Sequence, residues 1–305
     1  VVSLSKKITN RKPRPILCLP TGAGKTVCFS EIAEQAQRKG SKVSVVCHRK
    51  ELVEQARKTM RAYGINPLMI DFGMVQTYAR SPEKIPEMDL CIIDECHIGN
   101  FRKFVDLLPP TVQVIGVTAT PIGASKKQPL RDVFDDVVAP VQIGELIKDG
   151  FLSTPEYHVW KIDESKLEKD FGGDFSESSQ ARVFSLDNLV EAYNRRVGKT
   201  IIFCSSIGQS LGVAERLREE NPNDNIFVVH SKMKAKEREA VVDAFINTPG
   251  ACIINCGILT AGFDDPYIET VIMYRATTSV SLWLQICGRG SRVVEDFKNK
   301  FYIFD

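Results

Sequence analysis

The sequence predicts an α/β protein made of two doubly wound, parallel-sheet halves. Three observations carry that expectation. Short runs rich in Val and Ile, such as Val43–Cys47, Leu90–Asp94 and Thr200–Cys204, alternate with stretches of helical periodicity. Strands rich in Val and Ile that alternate with helices read as a parallel sheet covered on both faces. The alternation weakens between Pro121 and Ser185 and then resumes, which sets a boundary near residue 145 and divides the chain into domains over 1–144 and 145–305.

In the first half the expected strands are Ile16–Leu19, Val43–Cys47, Leu90–Asp94 and Val112–Val117, with helices at Lys25–Arg38, Lys50–Tyr63 and Asn100–Leu107. Ile65–Ile70 runs into Asp71–Met74 with almost no connection, so a segment is expected to be missing near Ile70/Asp71, and another near 124–126. Val141–Ser153 reads as a helix and turn joining the halves. Pro155–Ile162 reads as the first strand of the second sheet, and Asp163–Ser185, charged and without periodicity, as an exposed excursion. Strands then follow at Thr200–Cys204, Ile226–Val229, Ala251–Asn255, Thr270–Tyr274 and Phe301–Phe304, with helices at Gln209–Glu220, Ala235–Asn247 and Val280–Cys287.

Composition narrows the class. No apolar run approaches the ~18 residues of a membrane span, and the basic start, Val1 to Arg14, lacks a signal-peptide core. The nine cysteines are scattered without a C-x-x-C pair, which suits free thiols in a reducing compartment and argues against a zinc site. A cytoplasmic protein that contacts no membrane is expected. Charge is uneven: residues 1–140 hold 21 Lys/Arg against 14 Asp/Glu, and residues 141–305 hold 19 against 24. The basic first half is compatible with a phosphate backbone as partner.

The densest chemical signal is Leu19-Pro20-Thr21-Gly22-Ala23-Gly24-Lys25-Thr26. It follows an apolar run and opens an amphipathic one, the strand–turn–helix context of a phosphate-binding loop. A turn with little side-chain bulk over Thr21, Gly22, Ala23 and Gly24 points backbone N–H groups into a concavity, and the helix start adds partial positive charge. Lys25 can then reach the β- and γ-phosphates, and the Thr26 hydroxyl can ligate Mg²⁺. The competing reading is a glycine turn that only ends a strand. Leu19 stands where the general pattern begins with Gly.

Leu90-Cys91-Ile92-Ile93-Asp94-Glu95-Cys96-His97 places two carboxylates at the end of a buried strand. Ligands of open α/β sheets bind at that edge. Asp94 suits Mg²⁺ and Glu95 suits polarising an attacking water.

Together these two segments resemble motifs I and II of the superfamily 2 helicases in their D-E-x-H form. Further segments match in order: Val46–Gln55 (Ia), Val75-Gln76-Thr77 (Ib), Thr118-Ala119-Thr120-Pro121 (III), Ile201–Ser205 (IV), Leu259–Asp264 (V) and Gln285–Arg292 (VI). Eight motifs in the right order span residues 16 to 305. Within the superfamily the chain is similar to the RadD-type repair helicases of bacteria and to related phage helicases. The stretches 147–152 and 278–282 support that likeness.

The resemblance implies two tandem RecA-like domains with a cleft between them, ATP and Mg²⁺ as cofactors, and a nucleic-acid-dependent ATPase. It implies that Arg289 and Arg292 reach the γ-phosphate, that Gln285 orients water or phosphate, and that Gly262 and Asp264 meet the nucleotide. Thr118, Thr120 and His97 would couple ATP state to movement. Arg49, Gln76, Thr77, Ser205 and Thr260 would touch the sugar–phosphate strand without reading its sequence. The implied partner is DNA, single-stranded or branched, in repair or recombination. An RNA helicase, a duplex-translocating motor of a restriction or remodelling complex, and an ATP-gated binding module are the alternatives. Ala261 departs from the polar residue many relatives carry, and no segment before motif I resembles the adenine-reading glutamine motif.

Overall fold

The computed structural model describes residues 14–98, 101–122, 129–260 and 263–305, and the chain divides into two compact units, Val1–Leu146 and Ile147–Asp305. In chain order the first unit contains β1 (Pro15–Cys18), α1 (Lys25–Arg38), β2 (Val43–Cys47), α2 (Lys50–Ala62), β3 (Asp71–Met74), α3 (Val75–Arg80), β4 (Leu90–Asp94), α4 (Phe101–Val105), β5 (Gln113–Thr118) and β6 (Asp136–Val138), and α5 (Ile143–Lys148) crosses the division. All its strands run parallel in the order β3-β2-β4-β5-β1-β6. The apolar runs become strands because both faces are covered: β2 and β4 are buried at every residue. Ile16, Val46, Cys91, Ile93, Val114 and Phe104 share one core cluster.

The second unit contains β7 (Thr154–His158), α6 (Glu177–Val183), α7 (Leu186–Asn194), β8 (Lys199–Cys204), α8 (Ile207–Glu220), β9 (Ile226–His230), α9 (Ala235–Ile246), β10 (Cys252–Cys256), β11 (Ile268–Tyr274), α10 (Val280–Cys287) and β12 (Lys300–Phe304). Its six strands are also parallel, in the order β7-β12-β11-β8-β10-β9. Alternate residues feed opposite layers. Ile201, Phe203, Ile253, Val271 and Met273 join a cluster with Phe245, whereas Ile202, Cys204, Ile254, Ile272 and Tyr274 join one with Tyr193 and Leu217. That period of two across a fully buried sheet is what the doubly wound architecture requires. The fold is thus two RecA-like parallel-sheet units. Among the described residues no helix is long and apolar enough to cross a membrane.

At Ile70/Asp71, where a missing segment was expected, Pro67–Met69 form a one-turn 3-10 helix, the Ile70 N–H reaches Pro67 O at 3.3 Å, and the buried Ile70 leads into β3. The second expected gap, near 124–126, lies outside the described residues. The stretch Asp163–Ser185 is exposed over most of its length, as expected, but it is not without regular structure. It forms α6, buries Ser179 and Gln180, and closes a turn through the Lys169–Phe175 bridge. It lacks apolar periodicity because polar side chains anchor it, with the Ser176 hydroxyl accepting the Ser179 N–H at the helix start. The short edge strand β6 was also not anticipated.

Candidate active site

Three parallel strands of the first unit end side by side, in the order β4, β5, β1, and each delivers one candidate segment from its carboxyl end. β1 runs into the phosphate loop. Leu19, buried at 4% exposure, gives its N–H to Thr118 O at 3.0 Å, so the position that departs from the general pattern serves as a core anchor between this loop and the end of β5. Gly22 (φ 86°) and Gly24 (φ 78°) both lie in the left-handed region. A side chain at Gly24 would meet nothing within 4 Å, so backbone conformation rather than space selects glycine there. Gly24 caps α1, whose first turn carries no acid, and Lys25 and Thr26 open that helix. Its orphan N–H groups and the positive end of its dipole therefore face any anion in the loop without a resident carboxylate competing. The Thr21 hydroxyl is buried with no hydrogen-bond partner.

β4 ends at Asp94, and the chain turns sharply at Glu95, whose φ of 48° is left-handed for a residue with a side chain. The Glu95 N–H donates to Asp94 Oδ1 at 2.9 Å, and the Cys96 N–H returns to Val117 O at 3.1 Å. That return is tight: a Cβ on Gly116 would lie 2.9 Å from Cys96 Sγ and 2.7 Å from the Phe134 ring. The strained turn aims Glu95 Oε1 to within 3.8 Å of Lys25 Nζ. Burial pushes the Asp94 carboxyl up to about 7, the neighbouring Glu95 adds to the rise, and Lys25 opposes it. Two carboxylates against one lysine leave the site short of positive charge, which a divalent cation would supply. Among the described residues no group of three His, Cys, Asp or Glu could cage a metal. The donor set of Asp94 and Thr26 therefore suits Mg²⁺ completed by phosphate oxygens and water. The residues fit ATP–Mg²⁺.

His97, Thr118 and Thr120 are brought together behind the carboxylates, all buried. His97 Nδ1 lies 2.7 Å from Thr118 Oγ1 and 3.4 Å from a Glu95 oxygen. Burial holds the imidazole below its ordinary value, so its approach to Glu95 is a neutral polar contact rather than an ion pair. Thr118 Oγ1 also bonds the N–H and carbonyl of Thr120, at 3.0 and 3.1 Å. A continuous polar chain thus links Glu95 to the segment after β5.

Arg49 caps α2 and is exposed; Gln76 and Thr77 open α3, also exposed. The Gln76 amide donates to His48 O at 2.9 Å, which joins these two candidate strand-contacting segments at the ends of β2 and β3.

In the second unit, Gly262 lies outside the described residues. The Ser205 hydroxyl and N–H both go to Gln209 Oε1, at 3.0 and 2.7 Å. Thr260 O accepts Arg289 Nη2 at 2.9 Å, and Arg289 Nη1 reaches Phe263 O. Arg292 pairs with Asp264, and Gln285 is buried on α10. Motif VI is therefore fastened to the described part of motif V through both Arg289 and Arg292. Two buried lysines support it, which sequence reasoning missed. Lys199 Nζ bonds Asp265 Oδ2 at 2.8 Å and Ile246 O at 2.7 Å. Lys298 Nζ bonds Ile268 O at 2.7 Å and Gly290 O at 2.9 Å, and burial pushes it down to about 8. No local spacing announces either, because Lys199 and Asp265 are 66 residues apart.

Comparison with known proteins places both halves. Residues 1–84 match the family model described as type III restriction enzyme, res subunit, and residues 182–294 match the helicase conserved C-terminal domain. A Saccharomyces cerevisiae protein named as an ATP-dependent helicase, IRC3, is 26% identical over 90% of this chain and 46% of its own length. A fragment described as the HsdR subunit of a type I restriction enzyme from Vibrio vulnificus superposes with a TM-score of 0.74 at 24% identity, over 99% of this chain and 61% of that one. The Type ISP restriction-modification enzyme LlaBIII, solved bound to DNA, gives 0.69 at 18% identity over 99% of this chain and 27% of its own. The chain spans about half the length of the curated relatives it matches, from 44% to 61%.

Proposed function

Because the chain belongs to the superfamily 2 helicases, of the D-E-x-H type, we propose that it is an ATP-dependent motor on nucleic acid, with DNA as its track. The observation that carries this is the convergence of Lys25, Asp94 and Glu95 at the ends of strands of one sheet, with Glu95 3.8 Å from Lys25. In this reading Thr21, Gly22, Ala23, Gly24 and the first turn of α1 cradle the phosphates, and Lys25 neutralises the β- and γ-oxygens. Thr26 and Asp94 hold Mg²⁺, which when bound offsets charge on the transferring phosphoryl group. Glu95 orients and polarises the attacking water. Arg289 and Arg292 supply charge to the equatorial oxygens, Gln285 orients water or phosphate, and Gly262 and Asp264 meet the nucleotide. The polar chain through His97, Thr118 and Thr120 reports whether Glu95 faces a γ-phosphate. Arg49, Gln76, Thr77, Ser205 and Thr260 grip the strand backbone.

A role in DNA repair or recombination, in the cytoplasm of a bacterium or an infected cell, rests on the sequence resemblance. A second reading, the duplex-translocating motor of a restriction complex, draws support from the likeness to the HsdR fragment and to LlaBIII. ATP hydrolysis measured with single-stranded DNA, duplex DNA, branched DNA and RNA tests the proposal. Stimulation by single-stranded or branched DNA supports the first reading, and stimulation by duplex alone the second. Stimulation confined to RNA rejects both.

A further inference from the structure

The segment that leads into α10 is held from a distance. β11 ends at Tyr274, and Arg275-Ala276-Thr277-Thr278 connects it to Ser279, the α10 cap. Groups from each of these four residues bond to the stretch 173–180, about a hundred positions earlier. Asp174 Oδ1 accepts the Thr278 N–H at 2.8 Å, while Asp174 Oδ2 accepts the Thr277 hydroxyl at 3.0 Å and Arg275 Nη2 at 3.3 Å. The Thr278 hydroxyl donates to Gly173 O at 2.9 Å. The buried Gln180 accepts the Ala276 N–H at 2.8 Å and donates to Phe175 O at 2.9 Å, so it fastens the connection to the turn that bears Asp174.

We propose that Asp174 is a positioning residue for Gln285, Arg289 and Arg292, acting through the Thr277–Ser279 connection that launches α10. The inference rests on the motor function proposed above. Its path is a chain of hydrogen bonds. Thr277 Oγ1, which donates to Asp174, accepts the Ser279 N–H at 3.1 Å; Ser279 Oγ in turn accepts the Leu282 N–H at 3.2 Å. Ser279 O accepts the Trp283 N–H at 3.0 Å, closing the first turn of α10. In the last turn of the same helix, Gln285 O accepts Arg289 Nε at 3.2 Å. The carboxylate thus fixes where α10 starts, and α10 fixes where the arginines begin. Phosphoryl transfer is almost wholly positioning and charge, and a displacement near 1 Å costs on the order of 10²-fold in rate. Asp174 and Arg275 are 30% and 16% exposed, so solvent screens the ion pair and its contribution is geometric more than energetic.

The test uses the full chain with saturating single-stranded DNA. Asp174→Ala is expected to lower kcat about tenfold or more, with affinity for a fluorescent ATP analogue within about twofold and an unchanged melting curve. Asp174→Asn keeps one acceptor oxygen and is expected to restore part of the lost rate. Glu168→Ala, upstream of that stretch and outside this hydrogen-bond chain, with its side chain paired to Arg182, is expected to match the wild type. Wild-type kcat in Asp174→Ala overturns the proposal, and so does a loss of rate and melting temperature together that Asp174→Asn does not rescue. If no form of DNA raises the wild type's rate of ATP hydrolysis, the motor reading fails instead. Amide exchange then decides for the anchor: faster exchange over 276–282 in Asp174→Ala supports it, and unchanged exchange overturns it.

Discussion

Arg292 grips Asp264 side-on, with Nε 3.1 Å from Oδ1 and Nη2 2.9 Å from Oδ2. Both residues are expected to meet the nucleotide, and each is within hydrogen-bond reach of the other. The pair is open to solvent, 35% and 42% exposed, so its contribution to stability is at most about 1 kcal/mol. An arginine that meets a transferring phosphoryl group contributes roughly 10³–10⁵ in rate. Arg292→Ala should therefore move the melting temperature by no more than about 4 °C and reduce DNA-stimulated ATP hydrolysis by roughly 10³-fold. Equal small losses in both would make Arg292 a surface cation.

Asp94 predicts a pH dependence of stability. Its carboxyl is raised from 3.8 to about 7 by burial, with Glu95 adding to the rise. Between those values the folded protein binds more protons than the unfolded chain, so stability present below pH 3.8 is lost as pH rises through about 7. Asp94→Asn removes the buried charge. In the absence of nucleotide and metal it should raise the melting temperature at pH 8 and leave it nearly unchanged at pH 4. A lowered melting temperature at pH 8 would contradict the assignment.

In the second unit the ion pair of Lys199 and Asp265, 5% and 1% exposed, lies beside Asp264. Removing one member leaves a buried charge, at a cost of about 3–5 kcal/mol. Lys199→Met should lower the melting temperature by roughly 10 °C. Adding Asp265→Leu should recover part of that loss, but not all, because Asp265 Oδ1 also accepts the Tyr267 N–H. No recovery in the double variant would show that the lysine's other contacts, to Ile246 O and the Phe245 ring, carry the effect.

Sequence legibility followed the physics of each element. β2, β4, β8 and β10 were readable because doubly covered strands are rich in Val, Ile and Cys on both faces, and α1 because a glycine turn and Lys25-Thr26 mark its start. β6 is three residues long and too short to carry a period. α6 was hidden because its burial is polar, through Ser179 and Gln180. At the site, the phosphate loop and Asp94-Glu95 were legible as contiguous motifs. The left-handed turn at Glu95, the Thr118–His97 contact and the supports from Lys199, Lys298 and Asp174 were not. Each depends on which strand ends lie side by side, and spacing along the chain does not encode that.

The most direct test of the central claim is DNA-stimulated ATP hydrolysis by Glu95→Gln beside the wild type, with binding of a fluorescent ATP analogue followed in the same samples. Glutamine keeps the shape of the side chain and removes the charge that polarises water. The account predicts that turnover falls by about 10²-fold or more while the analogue still binds. Wild-type turnover in Glu95→Gln, repeated in Lys25→Ala, would contradict it.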